Sequence, residues 1–152
     1  MGGDDMSLYR LVYTSESTGT LDQTALSELR TLSAINNQKN DITGILVHRN
    51  MKFFQALEGS LKAINTLYKK ILADDRHHNL LLQSFDLAHT RIFDDWSMQC
   101  IDFDQFSDGR KAMFSIKYGL SISGTDFPKN PNEITAFLYD LRFVGARELA
   151  TA

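Results

Sequence analysis

The sequence has little cysteine and no long hydrophobic run. A single thiol, Cys100, excludes an internal disulfide framework and favours a reducing compartment, so we predict a cytoplasmic location. No apolar segment reaches the length that a bilayer-spanning helix needs, so we expect no membrane insertion. The first ten residues, MGGDDMSLYR, are acidic and lack the pattern of a secretory signal. They give no reason to predict secretion.

The sequence also lacks a strong charge of either sign. Its net charge is −3, and the 16 lysines and arginines are scattered along the chain. Nucleic-acid-binding proteins present clustered basic residues to the phosphates, so the sequence argues against direct binding to nucleic acid. Because 43% of the 152 residues are hydrophobic, we predict one domain with a substantial core.

Motifs for metal binding are missing as well. The run Asp74–His78 contains two adjacent histidines, but neighbouring residues on a helix point about 100 degrees apart and rarely bind one ion together. No HExxH motif or comparable spacing accompanies them. We therefore predict no metal site and interpret this run as the solvated end of a helix.

The most informative stretch is Ile42–Gly59, with the sequence ITGILVHRNMKFFQALEG. It predicts two strands joined by a polar turn at Arg49–Lys52. Because side chains alternate along a strand, Phe53, Gln55 and Leu57 share one face. Gln55 therefore lies in an apolar row, where an amide is costly to bury unless its donors and acceptors are satisfied. Its partner is either the backbone or a flat polar ligand, and the pattern alone leaves both open.

The segments on either side of this hairpin predict an α+β domain. The first helix is expected to begin at Thr20, which has capping-box spacing to Gln23. The expected elements are strands at Tyr9–Ser15, Leu80–Ala88 and Ser97–Phe103, a helix from Thr20 to about Asn37, and a helix after an N-cap at Ser60 that ends at the run from Asp74. The order is β-α-β-β-α-β plus an extra strand. This order is typical of ferredoxin-like folds, with an antiparallel-rich sheet and both helices on one face.

The C-terminal part, residues 104–152, has a different composition. Helical spacing is visible in Lys111–Tyr118 and again in Pro131–Gly145. The apolar stripe of the second segment comprises Ile134, Phe137, Leu138, Leu141 and Val144. About fifty residues are too few for a second catalytic domain. We expect these C-terminal helices either to cap the sheet or to form a surface for an oligomer or a partner.

Two further polar features accompany Gln55. Tyr13 ends an apolar row of the first strand, and the inward stripe of the first helix becomes polar at Ser33, Asn36 and Asn37. Each feature has an ordinary explanation, because buried tyrosines bond to neighbours and asparagines are common near helix ends. Taken one at a time, these ordinary explanations are favoured over a ligand site.

Five motifs occur in order along the chain: YRLVYTS, SAINN, DITGILVHRNMKFFQALEG, the DDRHH run and RIFDDWSMQ. Together they closely resemble the BLUF family, blue-light sensors that use flavin adenine dinucleotide (FAD). The resemblance covers about Ser7–Phe103, so we interpret residues 1–6 as an N-terminal extension, 7–103 as the flavin-binding domain and 104–152 as a C-terminal helical extension. That extension resembles the two extra helices of short, stand-alone family members, which carry no enzyme domain. The resemblance therefore predicts a sensor and not an enzyme.

The resemblance also implies roles for individual residues. Tyr13 matches an electron-donating tyrosine, and Gln55 matches the glutamine between that tyrosine and the flavin. Asn37 matches an asparagine that hydrogen-bonds the pyrimidine edge of the flavin ring. The other residues that the resemblance implies in FAD binding are Leu29, Ser33, Asn36, Phe53, Lys70, Ile71 and Asp74. Lys70 falls where relatives often have arginine near the phosphates; lysine keeps the charge but loses the bidentate fork.

The implied mechanism rearranges hydrogen bonds after blue light is absorbed. Tyr13 gives up an electron and a proton, Gln55 relays the proton, and its amide then rotates or tautomerises. Met98 and Trp96 are expected to relay the change through the last strand, and the resemblance leaves open which of them lies next to Gln55. The implied partner is a downstream signalling protein, with a response-regulator-like protein as one candidate, and the chain is expected to form a homo-oligomer.

Two other functions remain as alternatives. An acylphosphatase-like hydrolase of the same fold would need an arginine in its phosphate-binding loop, and the loop Glu16–Thr20 has none. A non-photoactive small-molecule-binding or interaction module is the better alternative, because a photoreceptor and a dark homologue share one core. The colour of the purified protein and its response to blue light distinguish these functions.

Overall fold

The computed structural model describes residues 7–19, 22–121, 124 and 126–151. The strands are β1 (Leu8–Ser17), β2 (Thr43–Arg49), β3 (Lys52–Gly59), β4 (His77–Ala88) and β5 (Gln99–Asp102). The helices are α1 (Gln23–Lys39), α2 (Leu61–Ala73), α3 (Asp108–Tyr118) and α4 (Pro131–Thr151), with a 3₁₀ turn at Phe103–Gln105. The sheet has the order β4-β1-β3-β2-β5 and is antiparallel except for the pair β2 and β5. The predicted α+β, ferredoxin-like fold with an extra strand is confirmed.

Side chains that alternate along the strands give the sheet two apolar faces, each covered by helices. The near face packs against α1 and α2, as predicted, and its buried cluster comprises Leu11, Tyr13, Leu26, Ile42, Leu46, Phe53, Leu57, Ile64 and Met98. The far face packs against α3 and α4, and its buried cluster includes Val12, Ile45, Val47, Phe54, Phe93, Trp96, Phe114, Phe137 and Leu141. The sheet is thus a shared layer between two cores.

The hairpin of β2 and β3 forms the centre of the sheet. Its two turn residues, Asn50 and Met51, have φ angles of 46° and 67°. Positive φ at both positions defines a type I′ turn, whose twist matches that of the flanking strands. At Gly44 an added Cβ would lie 2.2 Å from the Ala56 carbonyl oxygen. Only glycine therefore allows the two strands to approach this closely.

A buried carboxylate, Glu58, anchors the loop that precedes β5. Its side chain is fully buried and accepts four hydrogen bonds, two at each oxygen. Oε2 accepts from Arg10 Nε at 2.9 Å and from the Ile92 backbone at 2.7 Å, and Oε1 accepts from Thr43 Oγ1 at 3.1 Å and from the Phe93 backbone at 2.9 Å. Four donors satisfy the charge that burial would otherwise penalise.

The start of α1 differs from the sequence-based expectation. The N-cap is Asp22, whose side chain accepts a hydrogen bond from the Ala25 backbone at 2.8 Å. Thr20, the expected first residue of the helix, lies outside the described residues. Aspartate is among the preferred N-cap residues, which accounts for the start at Asp22. The helix ends at Lys39, slightly beyond the expected Asn37.

The interpretation of the two adjacent histidines as a solvated helix end is wrong. Helix α2 ends at Ala73, and His77 and His78 are the first residues of β4. The His77 ring is held on both sides: Nδ1 lies 2.8 Å from Ser15 Oγ, and Nε2 lies 2.8 Å from the Ile71 carbonyl oxygen. These contacts fix the start of β4 against β1 and the end of α2.

The last strand is shorter than expected. It spans only Gln99–Asp102, so Met98 precedes it, and Phe103 begins the 3₁₀ turn. The Asp102 side chain caps that turn, with Oδ1 accepting from the Asp104 backbone at 3.2 Å. The side-chain bond of Asp102 offers the backbone an alternative to the strand ladder.

The C-terminal helices cap the far face of the sheet within the same chain. All five residues of the predicted stripe on α4 are at most 5% exposed. The buried Arg49 guanidinium holds the preceding loop, donating to Ser121 O and to Asp126 O and Oδ1, and lies 4.9 Å from the Phe103 ring centre. Of the two alternatives left open by the sequence, the stripe serves intramolecular capping.

In the described part of the chain, no helix combines the length and the apolarity that crossing a membrane requires.

Candidate functional site

A cleft of about 560 Å³ lies between α1 and α2, above the near face of the sheet. Its lining includes all ten residues that the sequence analysis assigned to cofactor binding, namely Tyr13, Leu29, Ser33, Asn36, Asn37, Phe53, Gln55, Lys70, Ile71 and Asp74. Residues from β1, α1, β3 and α2 therefore meet in one place. The volume is in the range of small-molecule and cofactor sites.

The floor of the cleft carries a tyrosine–glutamine pair. Tyr13 and Gln55 are directly opposite each other in the antiparallel pair β1 and β3, and the Tyr13 hydroxyl donates a hydrogen bond to Gln55 Oε1. The other end of the amide, Nε2, lies 3.8 Å from the Met98 sulfur, a weak acceptor. Both side chains are buried, at 3% and 6% exposed. The amide thus connects a phenol on one side to the segment before β5 on the other.

Burial also controls the protonation of Tyr13. Desolvation, followed by the proximity of Tyr68 and Asp74, raises the pKa of the Tyr13 phenol far above its usual value. The phenol therefore remains protonated over the physiological pH range. It can act as a hydrogen-bond donor to Gln55 without competition from its phenolate form.

The end of α1 supplies the polar edge of the cleft. Asn37 is buried, and its Nδ2 donates to the Ser97 carbonyl oxygen at 2.8 Å. Asn36 and Ser33, one and four residues before Asn37 on α1, also line the cleft. Leu29 and Ile71 line the cleft from α1 and α2. The cleft therefore combines aliphatic walls with amide and hydroxyl groups that both donate and accept hydrogen bonds.

Charged residues line the cleft at the end of α2. Arg76 donates to both carboxylate oxygens of Asp74, with Nη2 2.6 Å from Oδ2. This hydrogen bonding is the main cause that lowers the pKa of the Asp74 carboxyl. Lys70 lies in the same lining. At this end the cleft thus has two cations and one ionised carboxylate, and Glu28 of α1 adds a second acidic side chain elsewhere in the lining.

Several lining residues were not foreseen from the sequence. They are Ala25, Glu28, Leu32, Leu46, Leu67, Arg76 and His77. Arg76 and His77 were not assigned to the site because the run Asp74–His78 was interpreted as a solvated helix end. Leu46 lies opposite Gln55 in the pair β2 and β3, so the register of the hairpin was the signal that could have indicated it.

Met98 and Trp96 lie on opposite faces of the sheet. Met98 belongs to the near-face cluster and contacts Gln55, whereas Trp96 belongs to the far-face cluster. The Trp96 ring stacks on the Phe93 ring, with 5.7 Å between the two ring centres. The Arg142 guanidinium of α4 lies 4.2 Å from the centre of the Trp96 ring. In this structure Met98 is therefore the residue next to the glutamine.

The fold and the cleft together define an α+β ligand-binding domain, with a sheet as floor and two helices as walls. A family model described as "BLUF: Sensors of blue-light using FAD" matches residues 8–99, well over half of the chain. The chain belongs to the BLUF family, whose members are flavin-binding blue-light sensors.

Curated relatives place similar domains in longer proteins. The photoactivated adenylate cyclase subunit beta of Euglena gracilis is 29% identical over 119 residues, which are 77% of this chain and 14% of the relative. The blue light- and temperature-regulated antirepressor BluF of Escherichia coli strain K12 is 30% identical over 95 residues, 62% of this chain and 24% of that protein. The chain thus spans less than a quarter of the length of either relative.

Solved structures support the same assignment. BlsA in its ground state superposes with a TM-score of 0.72 and 26% identity, over 89% of this chain and 87% of that one. A bacterial light-regulated adenylyl cyclase gives 0.67 and 36% identity, over 72% of this chain and 32% of that one. BlrB in its dark state gives 0.73 over 91% and 97% of the two chains; at 24% identity it supports the fold alone.

The groups that line the cleft fit a flavin. An isoalloxazine ring has two apolar faces and a polar edge on which acceptors flank a donor. Leu29 and Ile71 suit the faces, and the amides of Asn37 and Gln55 suit the edge because each amide both donates and accepts. A carboxylate there would only accept.

Proposed function

We propose that this chain is a blue-light sensor that binds FAD non-covalently in the cleft and is not itself an enzyme. The observation that carries the proposal is the buried chain of contacts from the Tyr13 hydroxyl through the Gln55 amide to the Met98 sulfur, at the floor of that cleft. Family membership and the chemistry of the lining support it. The residues proposed to hold the ring are Leu29, Ser33, Asn36, Asn37, Phe53, Gln55 and Ile71.

The charged lining favours FAD over a mononucleotide. Lys70 and Arg76 offer two cations to a diphosphate, and the description of the family names FAD. Arg76 places a guanidinium beside Lys70, although its Nε and Nη2 already donate to Asp74, so it adds positive charge where the chain has lysine and relatives often have arginine. We therefore assign Lys70, Asp74 and Arg76 to the phosphate-bearing part of the cofactor.

The chemistry proposed for the chain is the movement of one proton. A bound flavin supplies the absorption of blue light and the capacity to take up an electron. Tyr13 is the buried donor at the floor of the cleft, and its phenolic proton already points to an acceptor, Gln55 Oε1. If Oε1 receives that proton while Nε2 releases one into the cleft, the amide becomes its imidic tautomer, and this tautomer or its rotation changes the contact between Nε2 and the Met98 sulfur.

The two arrangements of Gln55 are expected to differ little in free energy. They exchange a few hydrogen bonds, each worth about 1 kcal/mol, so the chain reverts thermally after illumination. The change is expected to reach the far face through Met98, Ser97 and Trp96, which are consecutive in sequence but divided between the two faces. Trp96 contacts α4 through Arg142, so α4 is the proposed output element.

The output is proposed to reach a separate signalling protein in the cytoplasm. A response-regulator-like protein is one candidate, and a homo-oligomer of this chain is the proposed signalling form. Exposed apolar side chains on the two C-terminal helices, including Ile116 and Phe143, are compatible with such contacts. Size-exclusion chromatography in the dark and under blue light tests both the oligomer and its dependence on illumination.

Absorption spectroscopy of the purified full chain tests the sensor proposal. We expect a yellow protein whose pigment, released by acid and separated by chromatography, is FAD, and whose visible bands move reversibly to longer wavelength under blue light. The Tyr13→Phe variant is expected to retain the pigment and lose this shift, because it lacks the phenolic proton.

Tyr9→Phe is the matched control for this experiment. Tyr9 lies on the same strand and face, and its ring packs edge-on against Phe85 at 5.8 Å. Its loss of a hydroxyl should leave the light response unchanged. A colourless wild type that takes up no flavin would refute the cofactor assignment, and a normal shift in Tyr13→Phe would refute the role of Tyr13.

A further inference from the structure

We propose that His48, Asp102 and Asp104 form a binding site for one divalent transition-metal cation, outside the flavin cleft. His48 Nδ1 lies 3.3 Å from Asp102 Oδ1 and 3.8 Å from Asp104 Oδ2. The three potential ligand atoms all lie within 4.8 Å of one another. A cation with metal–ligand distances of about 2.0–2.2 Å fits among three such atoms with small side-chain movements.

The backbone brings the three ligands together. His48 and Asp102 are directly paired in the parallel register of β2 and β5, and both side chains face the near side of the sheet. Asp104 follows two residues later in the 3₁₀ turn. The central sheet therefore positions two of the three ligands, and the 3₁₀ turn positions the third.

His48 is the residue that points to a ligand. It is only 7% exposed, and its Nε2 is the one buried side-chain polar atom without a hydrogen-bond partner among the described residues. The other ring nitrogen, Nδ1, faces the carboxylates and lies within hydrogen-bond distance of Asp102 Oδ1. A cation at Nδ1 would replace the proton of that hydrogen bond, and the ring would then carry its proton at Nε2, on the opposite edge.

The two carboxylates are oriented by hydrogen bonds from outside the cluster. Gln23 Nε2 donates to Asp102 Oδ2 at 2.5 Å, and the Asn50 backbone donates to Asp104 Oδ2 at 2.9 Å. Such outer partners fix the ligands of metal sites. The Asp104 side chain is 41% exposed, so a cation has a path from solvent.

The donor set selects the class of metal. One imidazole and two carboxylates suit Zn²⁺ or Mn²⁺, whereas a site for Mg²⁺ or Ca²⁺ would consist of oxygen ligands alone. Water would complete the coordination at the exposed side. A bound cation would connect β2 to the 3₁₀ turn, where the C-terminal extension begins.

Calorimetric titration of the chelator-treated full chain with zinc chloride tests this site. We expect saturable binding of one equivalent, and at least tenfold weaker binding by Asp104→Asn and by His48→Gln. Asp94→Asn, which removes an exposed carboxylate in the loop before Trp96, should bind zinc as the wild type does. Zinc K-edge X-ray absorption should report one nitrogen and at least two oxygen neighbours.

Two results would overturn the proposal. One is a wild type that shows no saturable binding. The other is binding that is unchanged in Asp104→Asn, since surface histidines such as His78 would then hold the zinc. Asp104 is exposed and its replacement keeps the side-chain shape, so this variant tests the site even if His48→Gln is unstable. None of these measurements requires flavin or light.

Discussion

At the scale of single residues, the site is built from a group that an ordinary core would avoid. Gln55 lies among apolar neighbours on β3, and the sequence left its partner as either the backbone or a ligand. The structure shows a third partner, the Tyr13 hydroxyl, on the adjacent strand. A satisfied amide that retains a weak contact, to the Met98 sulfur, can change partners at low cost.

The pair of Asp74 and Arg76 predicts a pH dependence of stability. Hydrogen bonds from Arg76 are the main cause that lowers the pKa of Asp74 in the folded chain below its value in the unfolded chain. The resulting stabilisation is present above the unfolded pKa of about 3.9 and is lost as the pH falls through the folded pKa. We expect Asp74→Asn to lower the free energy of unfolding at neutral pH, and we expect this deficit to shrink as the pH falls from the unfolded pKa through the folded pKa.

Urea denaturation of both proteins across this pH range measures the difference. Because the Arg76 side chain is 61% exposed, the effect should be small and should shrink in high salt. Asp75→Asn, at the adjacent exposed position, serves as the control, and its free energy of unfolding should change with pH as that of the wild type does. A gap between Asp74→Asn and the wild type that widens in acid would contradict the assigned direction.

At the scale of elements, the sequence was sufficient to predict a helix or strand wherever the pattern that defines it is local. The apolar alternation of the central hairpin, the N-cap at Ser60 and the apolar stripe of α4 each depend on neighbours within a few residues. His77 was misassigned because its partners, Ser15 and Ile71, come from two other elements. The cluster of His48 and Asp102 was invisible for the same reason, since only the pairing of β2 with β5 brings them together.

The candidate site could be predicted from the sequence only in part. The ten lining residues were assigned from resemblance to a family, because periodicity alone gave each of them an ordinary structural explanation. Periodicity did establish that Gln55 and Tyr13 occupy apolar rows. Their mutual contact required the β1–β3 register, and the position of Met98 relative to Trp96 required the path of the chain before β5.

The packing of α4 on Trp96 predicts the effect of a small substitution. An added Cβ at Gly145 would lie 2.7 Å from Trp96 Cη2. In an exposed helix, alanine would be more stable than glycine by about 1 kcal/mol, but here the contact forces α4 away from the ring. We expect Gly145→Ala to be destabilising and to shift the emission of Trp96, the only tryptophan, to longer wavelength.

Gly109→Ala is the matched control for this substitution. Gly109 lies in the first turn of α3, and apart from its chain neighbours and the backbone of its own helix no atom lies within 4 Å of a Cβ built there. Alanine at this position should leave the emission unchanged and should not lower the midpoint of denaturation. An unaltered spectrum in Gly145→Ala would show that α4 does not depend on contact with Trp96.

At the scale of the whole molecule, one sheet belongs to both cores. Phe54 and Gln55 are consecutive on β3, yet Phe54 packs against Phe137 of α4 at 5.2 Å between ring centres, and Gln55 faces the cleft. Neither face can lose its cover without exposing apolar side chains of the shared strands. This arrangement explains how a change at the cleft can reach α4 without a separate linker.

The shared sheet predicts that the described core unfolds as one cooperative unit. Phe137→Ala on the far face should lower the free energy of unfolding by about 3–5 kcal/mol, and Ile64→Ala on the near face by about 2–5 kcal/mol. Both residues are fully buried, whereas Ile116 on α3 is 85% exposed, so Ile116→Ala should change stability by less than about 0.5 kcal/mol. In each variant, denaturation followed by circular dichroism and by Trp96 fluorescence should give one coincident transition, because a two-state unit has one midpoint for all probes. If Phe137→Ala instead separated the two probes, with Trp96 exposed before the strands unfold, the helices of the far face would form an independent unit and not a continuation of the sensor core.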